Sequence, residues 1–433
     1  MLSCLMWERP YSEPTRLGLP RAGGLALNRW CCCSGISTRR HNGGMEHRDL
    51  VVVGLGGIGS AVLGEAARRG LGPLGLDRFK NGHTFGSSHG GSRVARQAYF
   101  EHSDYVPLLE SAFDGWDRLE AETGIRCLHR IGVLLAGGDD SMLLNASLAS
   151  ARTHGIPIES LDPAELRRRF PQFRLPNTMR GVFEPGAGFV RPEAGIDANL
   201  QSAVGHGAEI RRPVEVLSID AGDAGALIRT GQGEIHAERV VVTAGAWTSR
   251  LLGGLLNARV QFVPQRKEMV WFANRVGVAC SSAGMPAWLI DDEGRCGNGV
   301  YYGVPTWAGQ TGHLGMKIGF HGPGVPVDPD TAQAVPPDVV DRFSRDMERY
   351  LPGVLGEPIA VQSCLYTMSA DEHFVIDRLP GRAAVVVAAG FSGHGYKFAP
   401  AIGEIAIDLS VGGESSLPAG FLGLSRFETE AES

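Results

Sequence analysis

The stretch DLVVVGLGGIGSAVLGEAARRGLGPLGLDRF, beginning at Asp49, constrains this chain more than any other. Its apolar start predicts a buried strand, its glycines a tight turn, its next dozen residues an amphipathic helix, and its end a second strand closing on Asp77. Gly54, Gly56 and Gly59 fit the spacing G-x-G-x-x-G. In that spacing the first glycine permits the turn, the second lets a pyrophosphate approach the backbone, and the third packs helix on strand. The phosphates would rest on the helix N-terminus. Asp77, 23 residues after Gly54, places a carboxylate where ribose hydroxyls can donate to it and a 2′-phosphate would be repelled. In a chain with 60 glycines such a turn can be ordinary, but strand, helix and acid in register predict dinucleotide binding. The motif does not separate FAD from NAD.

Two later segments repeat the theme of a buried strand breaking into a small-residue turn and a helix: VVVTAGAWTSRLL at 240–252 and AAVVVAAGFSGHGYKFAPAIGEIAIDL at 383–409. Between the first unit and these lie the glycine-serine loop HTFGSSHGGSR at 83–93, a helical stretch at about 105–123, a region of mixed character from 131, a short helix at 163–171 and a helix at 193–204. Strands are expected near Val214, Ala226, 268–272, 300–302 and 316–320, and a helix at 339–350. Three nucleotide-facing turns suit a long FAD molecule better than NAD. The fold class expected is α/β, a Rossmann-like FAD-binding domain (46–130, 190–263, 366–433) with a β-rich substrate domain inserted in segments (131–189, 264–365).

Composition narrows the class. With 43% hydrophobic and 20% charged residues and a net charge of −6, the chain reads as globular, and its acidic balance argues against nucleic acid as a partner. Residues 1–44 hold six arginines against two glutamates, and four of the eight cysteines, without core-building periodicity. That extension (1–45 as a segment) reads as an Arg-rich targeting peptide, a cysteine tract for metal, or, the reading favoured, sequence upstream of a start at Met45 and otherwise disordered. Cys127, Cys280, Cys296 and Cys364 lack C-x-x-C spacing, so neither a zinc site nor a disulfide framework is expected. No run of residues is long and apolar enough to predict a membrane span. Only four of 41 basic side chains are lysines, namely Lys80, Lys267, Lys317 and Lys397, leaving 37 arginines. A lysine in such a chain marks a place where an ammonium has a use.

The segments GLGGIG, HTFGSSHGGSRVARQAYFEHSDYVPL, FEPGAGFV, TAGAWTSRLL, MKIGFH, SCLYTMSADEHFVID and AGFSGHGYKFAP occur in that order from Asp49 onward. Together they resemble the monomeric sarcosine oxidase and N-methyl amino acid oxidase family, covalent-FAD amine oxidases of the D-amino-acid-oxidase-like superfamily. The resemblance implies roles residue by residue. Cys364 matches the cysteine whose sulfur bonds the flavin 8α carbon. Arg93 and His89 match positions against the flavin ring, with Ser92 and Gly393 in the same cofactor-binding segments. Arg96 and Lys397 match the pair that holds the substrate carboxylate, a guanidinium fork beside a point charge. Lys317 matches the lysine where oxygen is reduced, a fixed charge that favours electron transfer. His321 matches a histidine near the bound amine, and Tyr302 and Tyr366 match aromatic walls.

The implied reaction is oxidation of a secondary amine. The C–H bond faces the flavin, the resulting imine is hydrolysed to formaldehyde and an amino acid when the oxidised carbon is an N-methyl, and O2 leaves as hydrogen peroxide. Sarcosine is the first expectation for the substrate; N-methyltryptophan and pipecolate are alternatives. A flavin dehydrogenase using another acceptor, a non-enzymatic flavoprotein and an NAD dehydrogenase are rival readings, disfavoured by Lys317, by the joint presence of Arg96, Lys397 and Cys364, and by the want of a hydride-acceptor pocket respectively. The stretch TWAGQTGHLG between Tyr302 and Lys317 looks longer than is usual in the family, and Trp307 in it either lines a wider site or caps a hairpin. No secretory signal or S-K-L-type address is present, so a cytoplasmic enzyme is expected, with organelle targeting by the N-terminal extension left open; the resemblance implies a monomer.

Overall fold

The strand Met45–Val53, whose last four residues are buried, lies at the centre of a parallel sheet. Its neighbours are Leu74–Leu76 on one side and Gly233–Val242 on the other, flanked in turn by Glu209–Arg211 and Arg382–Ala389, all parallel. Strands covered on both faces need apolar side chains throughout, which is why they read as valine runs. Helices Gly57–Arg68, Pro192–Gly205 and Ala399–Ser410 pack over one face. Val216–Ala221, Ala226–Thr230 and Gly233–Val242 form an antiparallel meander that extends the sheet, and Val375–Leu379 closes a hairpin onto Arg382–Ala389.

The computed structural model describes residues 40–42, 45–275, 281–292, 299–331 and 334–428. Residues 1–39, with the cysteine run at 31–33, and Cys280 and Cys296 lie outside the described residues. Arg40–Asn42 pairs antiparallel with the first residues of Met45–Val53. Among the described residues no helix is long and apolar enough to cross a membrane.

A second sheet is mostly antiparallel. Its spatial order runs Val325–Pro326, Val263–Asn274, Met316–His321, Val300–Val304, Ala287–Asp291, Val133–Gly137, Arg180–Glu184, Glu159–Leu161, and Leu355–Met368 pairs along Val263–Asn274. Side chains alternate between its two faces. Val270, Phe272, Met316 and Ile318 point to one face, where they pack with Val339, Phe343, Met347 and Tyr350 of the helix Val339–Tyr350. Met269, Trp271, Lys317 and Cys364 therefore point to the other. A small third sheet joins Arg93–Ala95, Gly188–Val190 and Leu128–Arg130.

The helices expected at 105–123 and 339–350 are present as Tyr105–Thr123 and Val339–Tyr350. The short helix is Pro163–Arg169, started by a capping box in which the Asp162 carboxylate accepts from the Glu165 amide and Glu165 accepts from the Asp162 amide. One helix was not anticipated. Met142–His154 begins at Ser141, whose hydroxyl accepts from the Leu144 amide, and ends at Gly155 with φ +67°. Its cap and stop signals are readable in SMLLNASLASARTHG, but the apolar positions are too few to announce a helix.

Candidate active site

The first glycine turn is shaped by contacts that only glycine allows. Gly54 has φ +91°, and a Cβ there would lie 2.6 Å from the Thr243 carbonyl oxygen; a Cβ on Gly59 would lie 1.7 Å from the Gly54 carbonyl oxygen. The Thr243 hydroxyl, from the end of the second valine strand, donates to the Gly54 carbonyl at 2.7 Å and so ties the two turns together. Gly56 differs: a Cβ there would meet no protein atom within 4 Å. It stands before the helix Gly57–Arg68, whose first amide, that of Gly57, donates to the Ser88 hydroxyl at 3.2 Å, and a helix N-terminus of this kind suits an anionic pyrophosphate. Asp77 is buried at the end of the next strand, its two oxygens accepting from the amides of Leu55 and Phe79 at 2.7 Å each.

A cleft of roughly 490 Å3 runs from Asp77 past Gly56, Ser88 and Arg93 to Tyr366 and Gly393. It joins the glycine turns of the first sheet to the second sheet, as an extended cofactor would. Gly393 has φ +84°, and the Tyr366 ring lies where its Cβ would be, at 2.1 Å. The glycine-serine loop is held by Arg93, whose guanidinium donates to the carbonyls of Ser92 at 2.7 Å and Ser87 at 2.6 Å. Ser92 is fully buried and its hydroxyl has no partner in the protein. His89 is also buried, with neither ring nitrogen in a formed hydrogen bond; burial first, then Arg93, pull it down to about 4, so the ring is neutral.

The free face of the second sheet forms the opposite wall. Lys317 and His321, four apart on Met316–His321, share that face, with Gly319 between them. Tyr302 lies opposite Gly319 in the ladder and fills the space its missing side chain leaves, 2.3 Å from where a Cβ would be. On the long central strand Lys267, Met269 and Trp271 stand in line, and across from them on Leu355–Met368 are Cys364, Gln362 and Ala360. Lys317 is wholly buried, donates to the Ser92 carbonyl and lies 5.9 Å over the Trp271 ring. Burial, then Arg93, hold it well below the ordinary lysine range. The free thiol of Cys364 is raised by burial, while Arg93, Lys317 and Lys267 act in the opposite sense.

Two cations meet at the Tyr99 ring. The Arg96 guanidinium lies 4.7 Å from its centroid, and the Lys397 ammonium lies 4.7 Å away as well. Arg96 also donates to the Ala98 carbonyl at 2.7 Å and pairs with Glu101 at 3.2 Å. Lys397, on the short turn Tyr396–Phe398, donates to the His394 carbonyl at 2.9 Å and is lowered to about 7, burial outweighing the pull of Glu101. Burial acts against an ionised Glu101, yet Arg96, His394 and Lys397 together hold its carboxyl below the usual range. His321 is lowered to about 4 by burial, and its ring is 5.7 Å from that of Tyr366.

Of the residues singled out in the sequence, Gly54, Gly56, Asp77, Arg93, Tyr366 and Gly393 line the cleft, Tyr302, Lys317, His321 and Cys364 stand on the second sheet, and Arg96 and Lys397 meet at Tyr99. Glu101 and Trp271 were missed, and Lys267 was flagged only as unexplained. Glu101 follows Arg96 by five residues inside a segment already singled out, so its proximity was readable; Trp271 and Lys267 are placed by strand register, which carries no local signal. Lys267 is buried, donates to the Gly322 carbonyl, and its ammonium is 5.1 Å from the Tyr366 ring. In the hairpin between Val300–Val304 and Met316–His321 the Trp307 amide donates to Gln310 at 3.3 Å, while its ring packs on Phe189 at 4.7 Å and also reaches within 3.7 Å of where a Cβ on Gly91 would be.

Comparison with known proteins agrees with this geometry. A family model described as FAD dependent oxidoreductase matches residues 49–409. The monomeric sarcosine oxidase of Streptomyces avermitilis is 38% identical over 376 residues, covering 86% of this chain and 96% of that protein. The N-methyl-L-tryptophan oxidase of Yersinia pestis is 34% identical over 386 residues, covering 88% and 99%. Among solved structures, NikD, an amino acid oxidase of nikkomycin biosynthesis, superposes with a TM-score of 0.75 at 25% identity over 87% of this chain and 97% of its own. A glycine oxidase from Geobacillus kaustophilus shares the fold, with a TM-score of 0.71 at 22% identity over 89% and 100%. The open space at Gly56, the carboxylate of Asp77 and the cleft that continues to Gly393 fit FAD, and the chain belongs to the FAD dependent oxidoreductase family.

Proposed function

We propose that this chain oxidises a small secondary amino acid, sarcosine or a related N-methyl amino acid, with O2 as acceptor. The observation that carries the reading is the meeting of Arg96 and Lys397 on Tyr99, within electrostatic reach of His321. Similarity to sarcosine and N-methyl-L-tryptophan oxidases supports the substrate class. In this reading residues 46–130, 190–263 and 366–433 hold the cofactor, and 131–189 and 264–365 form the substrate side.

FAD, when bound, supplies the two-electron acceptor that turns the amine into an imine. The residues do the rest. Arg96 and Lys397 grip the carboxylate; two cations around one anion fix its position and direction, and Glu101 is the acid that balances them beforehand. His321, held neutral, keeps a lone pair available to the amine, so the amine nitrogen reacts without its extra proton. Tyr302, Tyr366 and His321 wall the site from bulk water. Water then hydrolyses the imine to formaldehyde and the demethylated amino acid. Burial disfavours a charged Lys317, so its ammonium needs an anionic neighbour, and an electron-rich flavin ring is one. A charge fixed there favours electron transfer to O2, which leaves as hydrogen peroxide. Cys364 faces the cleft from the same sheet, and we assign it the covalent bond to the flavin, made by its thiolate.

The test is direct. Holoenzyme incubated with a panel of secondary amines should release hydrogen peroxide with sarcosine or another N-methyl amino acid; peroxide from none of them removes the oxidase reading. Acid precipitation should leave the yellow colour in the pellet, and full release of flavin to the supernatant overturns the Cys364 linkage.

A further inference from the structure

His394 is tied at both ring nitrogens, and one of the ties ends on the aromatic ring where the two cations meet. Its Nε2 lies 3.1 Å from the backbone carbonyl oxygen of Glu372, and its Nδ1 lies 2.6 Å from the hydroxyl oxygen of Tyr99. A carbonyl oxygen can only accept, so Nε2 carries the hydrogen. Burial pulls the ring down to about 3, so Nδ1 keeps its lone pair and the Tyr99 hydroxyl donates to it. The anchor is held in unusual backbone. Glu372 has φ +64° and Ser392, two residues before His394, has φ +45°; among the described residues no other non-glycine residue has a positive φ. Such backbone persists where its surroundings fix it, and it gathers at the working parts of a protein. The main chain of His394 adds a third tie, its carbonyl accepting from the Lys397 ammonium at 2.9 Å.

We propose that His394 is a positioning residue of the carboxylate clamp: anchored on Glu372, it fixes the Tyr99 ring through its hydroxyl, and that ring sets the placement of Arg96 and Lys397. Two cations brought together repel, and each gains by standing close to an electron-rich ring. Both lie 4.7 Å from the Tyr99 centroid, so a ring that slides moves both. Tyr105 and Phe398, each set across the Tyr99 ring with centroids 5.3 Å away, confine it from the side. Apolar contacts of that kind are non-directional and leave sliding along the line of the hydroxyl soft. The bond to His394 is directional and runs along that line. Tyr99 is buried, so its hydroxyl has no bulk water to turn to when the imidazole is removed.

The inference rests on the proposed reading of Arg96 and Lys397 as ligands of a carboxylate, but its readout needs no turnover. Acetate titrated into oxidised holoenzyme, followed by the perturbation of flavin absorbance, should bind about threefold to tenfold more weakly in Tyr99→Phe, the worth of one hydrogen bond. That variant keeps the ring and removes only the hydroxyl. His394→Leu should weaken acetate by the same factor, and the double variant should be no weaker than either single one, because both remove the same bond. His394→Asn, whose amide oxygen stands as many bonds from the backbone as Nδ1 does, should recover most of the affinity. With an N-methyl amino acid as substrate, KM should rise by the same factor while kcat changes less than about twofold, since the carboxylate is remote from the C–H bond that reacts. Unchanged acetate affinity in Tyr99→Phe overturns the proposal, and so does a His394→Leu effect that adds in full to that of Tyr99→Phe. Tyr99→Phe preserves the packing, so it decides the matter even where His394→Leu does not fold. Release of peroxide from no amine, with the acetate effects present, counts against the proposed oxidase function alone.

Discussion

The nucleotide cradle draws Gly54, Gly56, Gly59 and Asp77 from one strand-helix-strand unit, whereas the wall facing it collects Tyr302, Lys317, His321, Lys267 and Cys364 from four strands spread over a hundred residues. The cradle works with backbone: amides at a helix start, carbonyls at a turn, and the absence of Cβ atoms. The wall works with side chains whose alignment depends on ladder register. A fault in the first should act on folding and cofactor retention, and a fault in the second on chemistry with the cofactor still in place.

Gly59→Val tests the cradle most severely. With a Cβ 1.7 Å from the Gly54 oxygen, the helix must move, and a loss of more than about 4 kcal/mol is expected, read as failure to purify folded flavoprotein. Gly56→Ala has free space on the protein side, so the thermal transition of its cofactor-free form should match the native one while flavin content falls at least about tenfold. Full flavin content in Gly56→Ala would break the comparison.

On the wall, Lys317→Met should slow reoxidation by O2 by about 100-fold or more while changing reduction by amine less than about threefold, measured by stopped-flow absorbance. Equal slowing of both half-reactions would take Lys317 off the oxygen side. Arg96→Gln should lower kcat/KM by about 100-fold, the penalty for unpairing a buried charge contact, with flavin content unchanged. The smallest effect is one of pH. Lys397, at about 7, is charged below that pH and neutral above it, so KM should rise severalfold between pH 7 and 9. In Lys397→Gln that rise should vanish, and its persistence would assign the titration to another group.

Much of this was legible in the chain. G-x-G-x-x-G with Asp77, the valine strands and the helices at 105–123 and 339–350 follow from local spacing, and all are present. What was illegible depends on contacts distant in sequence. The Glu101 counter-ion needed the fold of its segment around Arg96, and the place of Trp307 depends on the pairing of Val300–Val304 with Met316–His321 and on its packing against Phe189. The scarcity of lysine pointed to Lys267 without saying why. In the structure its neighbours are Cys364 across the ladder and the Tyr366 ring, two residues it meets only because strands nearly a hundred residues apart are in register.

The sequence by itself determined the cradle, because a turn, a helix start and a strand end are built by neighbouring residues whose spacing is visible in a line of letters. The tertiary structure decided the wall that faces it. Period-two alternation says which residues of one strand share a face, but only the pairing of Val263–Asn274 with both Met316–His321 and Leu355–Met368 decides that Lys317, Lys267 and Cys364 stand on the same one. A shift of one residue in either ladder would turn them away from the cleft, and burial of Val270, Phe272, Ile318 and Phe343 on the opposite face is the force that forbids it.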